Sequence, residues 1–135
     1  MEKEKYSILV VDDDPKIVEL LRVNLVANDY DVDVAYDGEE AIAKVINQGG
    51  SRPDLIILDL MLPKKDGFEV ARTIKEKKSL ADIPIIILSA KDKPLDKIEG
   101  LLINDVDYYL TKPIEMEDLM IHIFKALDKK SKQKM

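Results

Sequence analysis

The chain has no cysteine in 135 residues and a single histidine, His122. Disulfides, thiolate metal sites and cysteine nucleophiles are therefore excluded. Positive charge is also short: the net charge is -6, with no basic stripe of the kind a nucleic-acid-binding face needs. Neither a Gly-x-Gly-x-x-Gly nor a Walker loop occurs, which removes the common nucleotide-binding signatures. No apolar run approaches the ~20 residues of a membrane span. The start, Met1-Glu2-Lys3-Glu4-Lys5, carries both charge signs ahead of a short apolar run, so it does not read as a signal peptide. The expected location is the cytoplasm, without membrane or direct nucleic-acid contact.

What is present alternates between short apolar runs and helical periodicity. Strands are expected at Tyr6 to Asp12, Asp31 to Ala35, Asp54 to Asp59, Pro84 to Leu88 and Asp107 to Leu110. The second alternates polar and apolar residues, whereas the third and fourth are apolar on both faces. Helices are expected between and after them. The first starts at Pro15, a residue suited to a first turn, with Ile17, Leu20, Leu21, Asn24 and Leu25 on one face. The second is capped at Asp37-Gly38-Glu39-Glu40, carries Ala41, Ile42, Val45 and Ile46, and stops at Gly49-Gly50. The third opens on Asp66 with Glu69 three residues on, a capping-box pattern, and stripes Val70, Ala71 and Ile74. A weaker fourth runs from Pro94 to Leu102, and the last from Glu115 to Asp128. Five strand-helix alternations with doubly apolar inner strands argue for an α/β fold, a parallel sheet covered on both faces. The expected organisation is one domain over 1–128 and a polar, Lys-rich tail or linker start over 129–135.

The strand ends carry the chemistry. Four apolar residues, Leu55-Ile56-Ile57-Leu58, run straight into Asp59. Ile8-Leu9-Val10-Val11 stops at Asp12-Asp13-Asp14, Ile85-Ile86-Ile87-Leu88 at Ser89, and Tyr108-Tyr109-Leu110 at Thr111-Lys112-Pro113. Open α/β sheets bind ligands at the carboxyl ends of their strands. Taken singly, each residue has an ordinary explanation: Asp14 a helix cap, Asp59 a turn acid, Ser89 a loop hydroxyl, Lys112 a solvated lysine. Three consecutive acids, however, repel one another and call for a cation. Hard carboxylate oxygens suit Mg²⁺, and a hydroxyl with an ammonium supplies donors to phosphoryl oxygens.

Val10-Val11-Asp12-Asp13-Asp14, Leu58-Asp59-Leu60-Met61-Leu62-Pro63 with Asp66-Gly67, Leu88-Ser89-Ala90 and Thr111-Lys112-Pro113 resemble the receiver domain of two-component response regulators. The resemblance covers roughly residues 5 to 127, with four motifs in order. It implies a flavodoxin-like doubly wound (βα)5 fold with strand order 2-1-3-4-5. It also implies phosphoryl transfer from a sensor histidine kinase or phosphotransfer protein to an aspartate. Asp59 matches the phosphoacceptor, Asp12 and Asp13 the acidic pair that holds Mg²⁺ with Asp59, and the Met61 carbonyl the backbone ligand. Ser89 matches the switch hydroxyl, Lys112 the phosphate-pairing lysine and Tyr109 the aromatic that changes rotamer; Lys112-Pro113 matches a peptide bond usually cis. The implied module is no turnover enzyme. It assists its own phosphorylation and dephosphorylation, and switches a surface of fourth helix, fifth strand and last helix toward an output domain, a partner or a second copy. One departure is Asp105-Val106-Asp107-Tyr108, where the family commonly has Gly-Ala-Asp-Asp. Met61 and Lys91 stand where the family tunes water access.

Other readings compete. A haloacid-dehalogenase-type phosphatase would map its Asp-x-Asp pair onto Asp12 and Asp14, yet leaves Asp59 unused. A degenerate receiver acting only as a binding module is opposed by the full acceptor set. On the last helix, Met116, Leu119, Met120, Ile123 and Leu127 form an inward stripe, while Ile121 and Phe124 lie off it as surface residues or a contact patch. His122, on the same helix, reads as structural. Kinase specificity is expected near Lys16, Glu19 and Arg22 of the first helix.

Overall fold

Each apolar run becomes a strand of one parallel sheet in the computed structural model, which describes residues 5–46, 52–90 and 106–133. The strands are β1 (Ser7–Val11), β2 (Asp31–Ala35), β3 (Leu55–Asp59), β4 (Ile85–Ser89) and β5 (Tyr108–Thr111). Their order is β2-β1-β3-β4-β5, all pairs parallel. This is the flavodoxin-like arrangement, in which the order reverses between β1 and β3 and opens a crevice at their carboxyl ends. β3 and β4 are buried along their whole length because helices cover both faces, whereas edge strand β2 alternates, as its sequence does.

Helices α1 (Pro15–Ala27), α2 (Gly38–Ile46) and α3 (Gly67–Lys75) and a C-terminal helix (Met116–Gln133) supply the two outer layers. Ile8, Val10, Leu55, Ile57, Ile86 and Leu88 pack with Val18, Leu21 and Leu25 of α1 and Leu119, Ile123 and Leu127 of the C-terminal helix. The alternate residues Leu9, Val11, Ile56, Leu58, Ile85 and Ile87 pack with Ala41 and Val45 of α2 and Val70, Ala71 and Ile74 of α3. Burying each of the Val, Leu and Ile side chains among them stabilises by about 1.5–3 kcal/mol before entropy is counted.

Three expectations shift. The inner face of α1 centres on Val18, Leu21 and Leu25; Leu20 is half exposed, and Ile17 and Asn24 sit at the margin. The C-terminal helix does not end at Asp128 but continues to Gln133. Lysine and glutamine propagate helices well, and cations are favourable at a helix carboxyl end. Strand boundaries move by a residue or two: β1 starts at Ser7, and β5 takes in Thr111. The expected helix Pro94 to Leu102, Gly49-Gly50, Lys91 and Asp105 lie outside the described residues. Among the described residues no helix is long and apolar enough to cross a membrane.

Candidate functional site

Register brings the strand ends together. The last registered pair of β1 and β3 is Val11 with Leu58, so Asp12 and Asp59 follow side by side. Asp59 is level with Leu88, and Ser89 with Thr111, so Ser89 and Lys112 stand just beyond on the same rim. Side chains alternate between faces. Asp12, Asp59 and Lys112 continue the parity of Val10, Ile57 and Leu110, which belong to the α1 side of the sheet. Ser89 continues the parity of Ile85 and Ile87, and Tyr109 packs in their cluster on the other side. Chemistry and proposed switch therefore rise from opposite faces of one edge.

Asp12 and Asp59 are nearly inaccessible, at 1% and 5% exposure, and Asp13 is exposed. One oxygen from each of these carboxylates lies within 4.8 Å of the other two. Lys112 reaches into this group: its Nζ donates to Asp12 Oδ2 at 3.2 Å and stands 3.3 Å from Asp59 Oδ1. Asp12 also accepts the Asp14 N–H at 2.9 Å. Burial, and then the Asp12 charge, raise the Asp59 carboxyl above the ordinary carboxylate range; Lys112 and the Met61 N–H oppose this without cancelling it. Burial works against the Lys112 ammonium, but Asp12 and Asp59 outweigh it and raise its pKa. Among the described residues, three clustered carboxylates share one ammonium and retain an excess of negative charge and hard oxygen donors, which fits a divalent cation such as Mg²⁺.

Asp14 is not part of this group. It is exposed and its carboxylate caps α1 by accepting the Lys16 N–H at 2.9 Å. An Asp-x-Asp phosphatase pair formed by Asp12 and Asp14 is therefore not assembled. Ser89 is fully buried, its hydroxyl donating to the Ala90 carbonyl at 3.3 Å, and its own carbonyl accepts the Lys112 N–H at 2.6 Å. The Lys112-Pro113 bond is cis. Tyr109 is buried, whereas Tyr108 on the opposite face meets the His122 ring edge-on at 4.9 Å between centroids. The His122 Nδ1 also stands 2.8 Å from the Asp118 carbonyl oxygen. Ile121 and Phe124 are exposed, as their positions off the stripe imply.

The loop after Asp59 shows what strand-end reading missed. Gly67 N–H donates to the Leu60 carbonyl at 2.8 Å, closing the loop on itself. A Cβ on Gly67 would stand 2.8 Å from the Asp59 carbonyl oxygen, so only glycine lets α3 start this close to Asp59. Asp66 and Glu69 form the expected capping box. Lys64 has φ +72°, and around it the Lys65 N–H donates to the Pro63 carbonyl at 2.8 Å, a tight γ-turn. A non-glycine residue held there stores on the order of 1–3 kcal/mol. Met61 is 56% exposed, and its backbone N–H bonds to the Asp59 carboxylate. The Leu60-Met61-Leu62-Pro63 motif, the Asp66-Gly67 pair and the Asp66/Glu69 capping pattern are visible in the sequence; the turn at Lys64 is not.

Comparison with known proteins agrees with the fold. The family model for the response regulator receiver domain matches residues 8–124. The alkaline phosphatase synthesis transcriptional regulatory protein PhoP of Bacillus subtilis (strain 168) is 44% identical over 93% of this chain and 49% of its own. The DNA-binding dual master transcriptional regulator RpaA of Synechocystis sp. (strain ATCC 27184 / PCC 6803 / Kazusa) is 42% identical over 86% of this chain and 46% of its own. The chain thus spans about half the length of these curated relatives. A response regulator structure from Chloroflexus aurantiacus J-10-fl superposes with TM-score 0.85 at 30% identity, covering 93% of this chain and 99% of that one.

Proposed function

This chain belongs to the response regulator receiver domain family of two-component signalling, and we propose that it accepts a phosphoryl group on Asp59 from a histidine kinase or phosphotransfer protein. The observation that carries this reading is the Asp12, Asp13 and Asp59 cluster with Lys112 between Asp12 and Asp59. An Asp59 carboxylate oxygen attacks phosphorus while the phosphorus–nitrogen bond of the donor phosphohistidine breaks and its imidazole takes up a proton. The attack brings anions together, so its barrier is set by charge neutralisation and in-line placement. Asp12, Asp13, Asp59 and the Met61 carbonyl would hold Mg²⁺, which supplies charge neutralisation for the phosphoryl oxygens. Lys112 supplies a second cation already in place. In the resting site Lys112 also offsets part of the Asp12–Asp59 repulsion, and phosphorylation gives its ammonium a new oxygen partner.

The answer is read on the other side of the rim. Ser89 is the hydroxyl that turns to the phosphoryl group, and Tyr109, on the same face of the sheet, follows it. That biases a two-state surface around β5 and the C-terminal helix toward an output domain, a protein partner or a second copy of the chain. The chain acts as a switch with no other turnover. Wild type, Asp59→Asn and Asp12→Asn are incubated with acetyl phosphate and Mg²⁺ and the intact proteins weighed. Wild type gains one phosphoryl group and Asp59→Asn gains none. A gain that survives loss of Asp59 would sink the assignment.

A further inference from the structure

The loop that carries Met61 is backed by a helix that takes no part in the site. Gly38 opens α2, and a Cβ there would lie 2.6 Å from the Lys65 carbonyl oxygen, 2.8 Å from the Lys65 Cβ and 2.9 Å from Val70 Cγ2. Backbone cannot give way as a flexible side chain can, so the bare α-carbon lets the loop sit directly on the α2 amino end. The same contact is framed by charge: Lys64 Nζ stands 3.6 Å from Asp37 Oδ2 and 3.9 Å from Glu39 Oε1, on either side of Gly38. Asp37 is itself held, its carboxylate accepting the Glu40 N–H at 2.8 Å. The positive φ at Lys64 needs surroundings that over-determine it, and these contacts provide them.

We propose that Gly38 and the Lys64 pairs with Asp37 and Glu39 are positioning elements for the phosphoryl site, holding the 60–66 loop so that the Met61 backbone faces Asp59. This rests on the reading of the Met61 carbonyl as a metal ligand. The Gly38 contact carries most of the effect, since exposed ion pairs contribute little. Through it, any partner that shifts the α2 amino end changes metal affinity at the acceptor without touching the acceptor.

Amide hydrogen exchange is measured on metal-free wild type, Gly38→Ala, Lys64→Met and Val45→Ala, the last a core truncation in the same helix that controls for general destabilisation. Mn²⁺ affinity is then measured on the four proteins by electron paramagnetic resonance. Gly38→Ala is expected to speed exchange of the Met61 amide about ten-fold and to weaken Mn²⁺ binding several-fold, through a shift of this loop alone. Lys64→Met moves both by about two-fold in the same direction, and Val45→Ala moves neither relative to the β1 amides. Wild-type values in Gly38→Ala, or equal changes in Val45→Ala, overturn the proposal. If Gly38→Ala does not fold, Lys64→Met decides by the same two readouts. A wild type that binds no Mn²⁺ rejects the metal reading, whereas the metal-free exchange still decides the clamp.

Discussion

The two rims of the sheet hold similar residues and use them in opposite ways. At the amino rim, Asp54 is buried and accepts from both the N–H and the hydroxyl of Ser7, at 2.8 and 3.3 Å, tying β3 to β1. Asp107 accepts the Ile85 N–H at 2.8 Å, with Lys75 4.0 Å away. Arg52 pairs with Asp82, and Lys75 donates to the Ala81 and Ile83 carbonyls. Charge there is matched by backbone and counter-ions, and it fixes register. At the carboxyl rim, Asp12, Asp13 and Asp59 crowd within 4.8 Å around one ammonium, and burial raises the Asp59 pKa. Among the described residues that rim is left short of positive charge. Buried acid alone therefore marks no site; buried acid in excess of its partners does.

The sharpest way to break this contrast is to remove the carboxyl rim's cation. Lys112→Met is expected to slow Asp59 labelling by acetyl phosphate by about 10²–10³-fold, the usual cost of losing one charge-stabilising donor. A rate within a factor of about two of wild type would mean the ammonium is not used in the transfer. Next comes the metal. At free Mg²⁺ a hundred times its Kd, wild type should gain about 2.7 kcal/mol of stability, read from urea midpoints, and Asp12→Asn should gain little. Equal gains in both proteins would place the cation elsewhere. The amino rim should respond the other way. Asp54→Ala leaves the Ser7 donors without their acceptor at a cost of about 2 kcal/mol, while folded protein still takes up one phosphoryl group. Loss of labelling in the folded variant would dissolve the distinction between the rims.

This contrast is only partly legible in the chain. The strands and Asp59, Asp12, Ser89 and Lys112 stand out because each apolar run ends abruptly at a polar residue, and parallel register does the rest. Asp54 also flanks β3, yet nothing local separates a matched acid from an unmatched one; that depends on Ser7, 47 residues away. Periodicity alone puts Leu20 on the inner face of α1, because this helix shows three apolar residues to solvent, Leu20, Val23 and Val26, which blurs the pattern. The lysine-rich end reads as tail by composition but continues the helix. The Lys64 ion pairs and the Gly38 contact join segments twenty-five or more residues apart, and no local pattern announces them.

The smallest effect tests the charge excess itself. Asp59 has a folded pKa above its ordinary value, raised first by burial and then by Asp12. The stability linked to it is fully present below the unfolded pKa and is lost as pH rises through the folded pKa. At neutral pH the ionised carboxylate therefore weakens the metal-free fold, even with Lys112 beside it. Asp59→Asn removes that penalty, so with Mg²⁺ chelated the variant should melt a few degrees above wild type at pH 7. The difference should close as pH falls below the ordinary carboxylate range, where Asp59 is protonated in both states. Mg²⁺ should reverse the ranking, because it stabilises wild type and finds one ligand fewer in the variant. A metal-free variant that melts lower than wild type at pH 7 would show that the Asp59–Lys112 pair outweighs the burial, and that the carboxyl rim is matched after all.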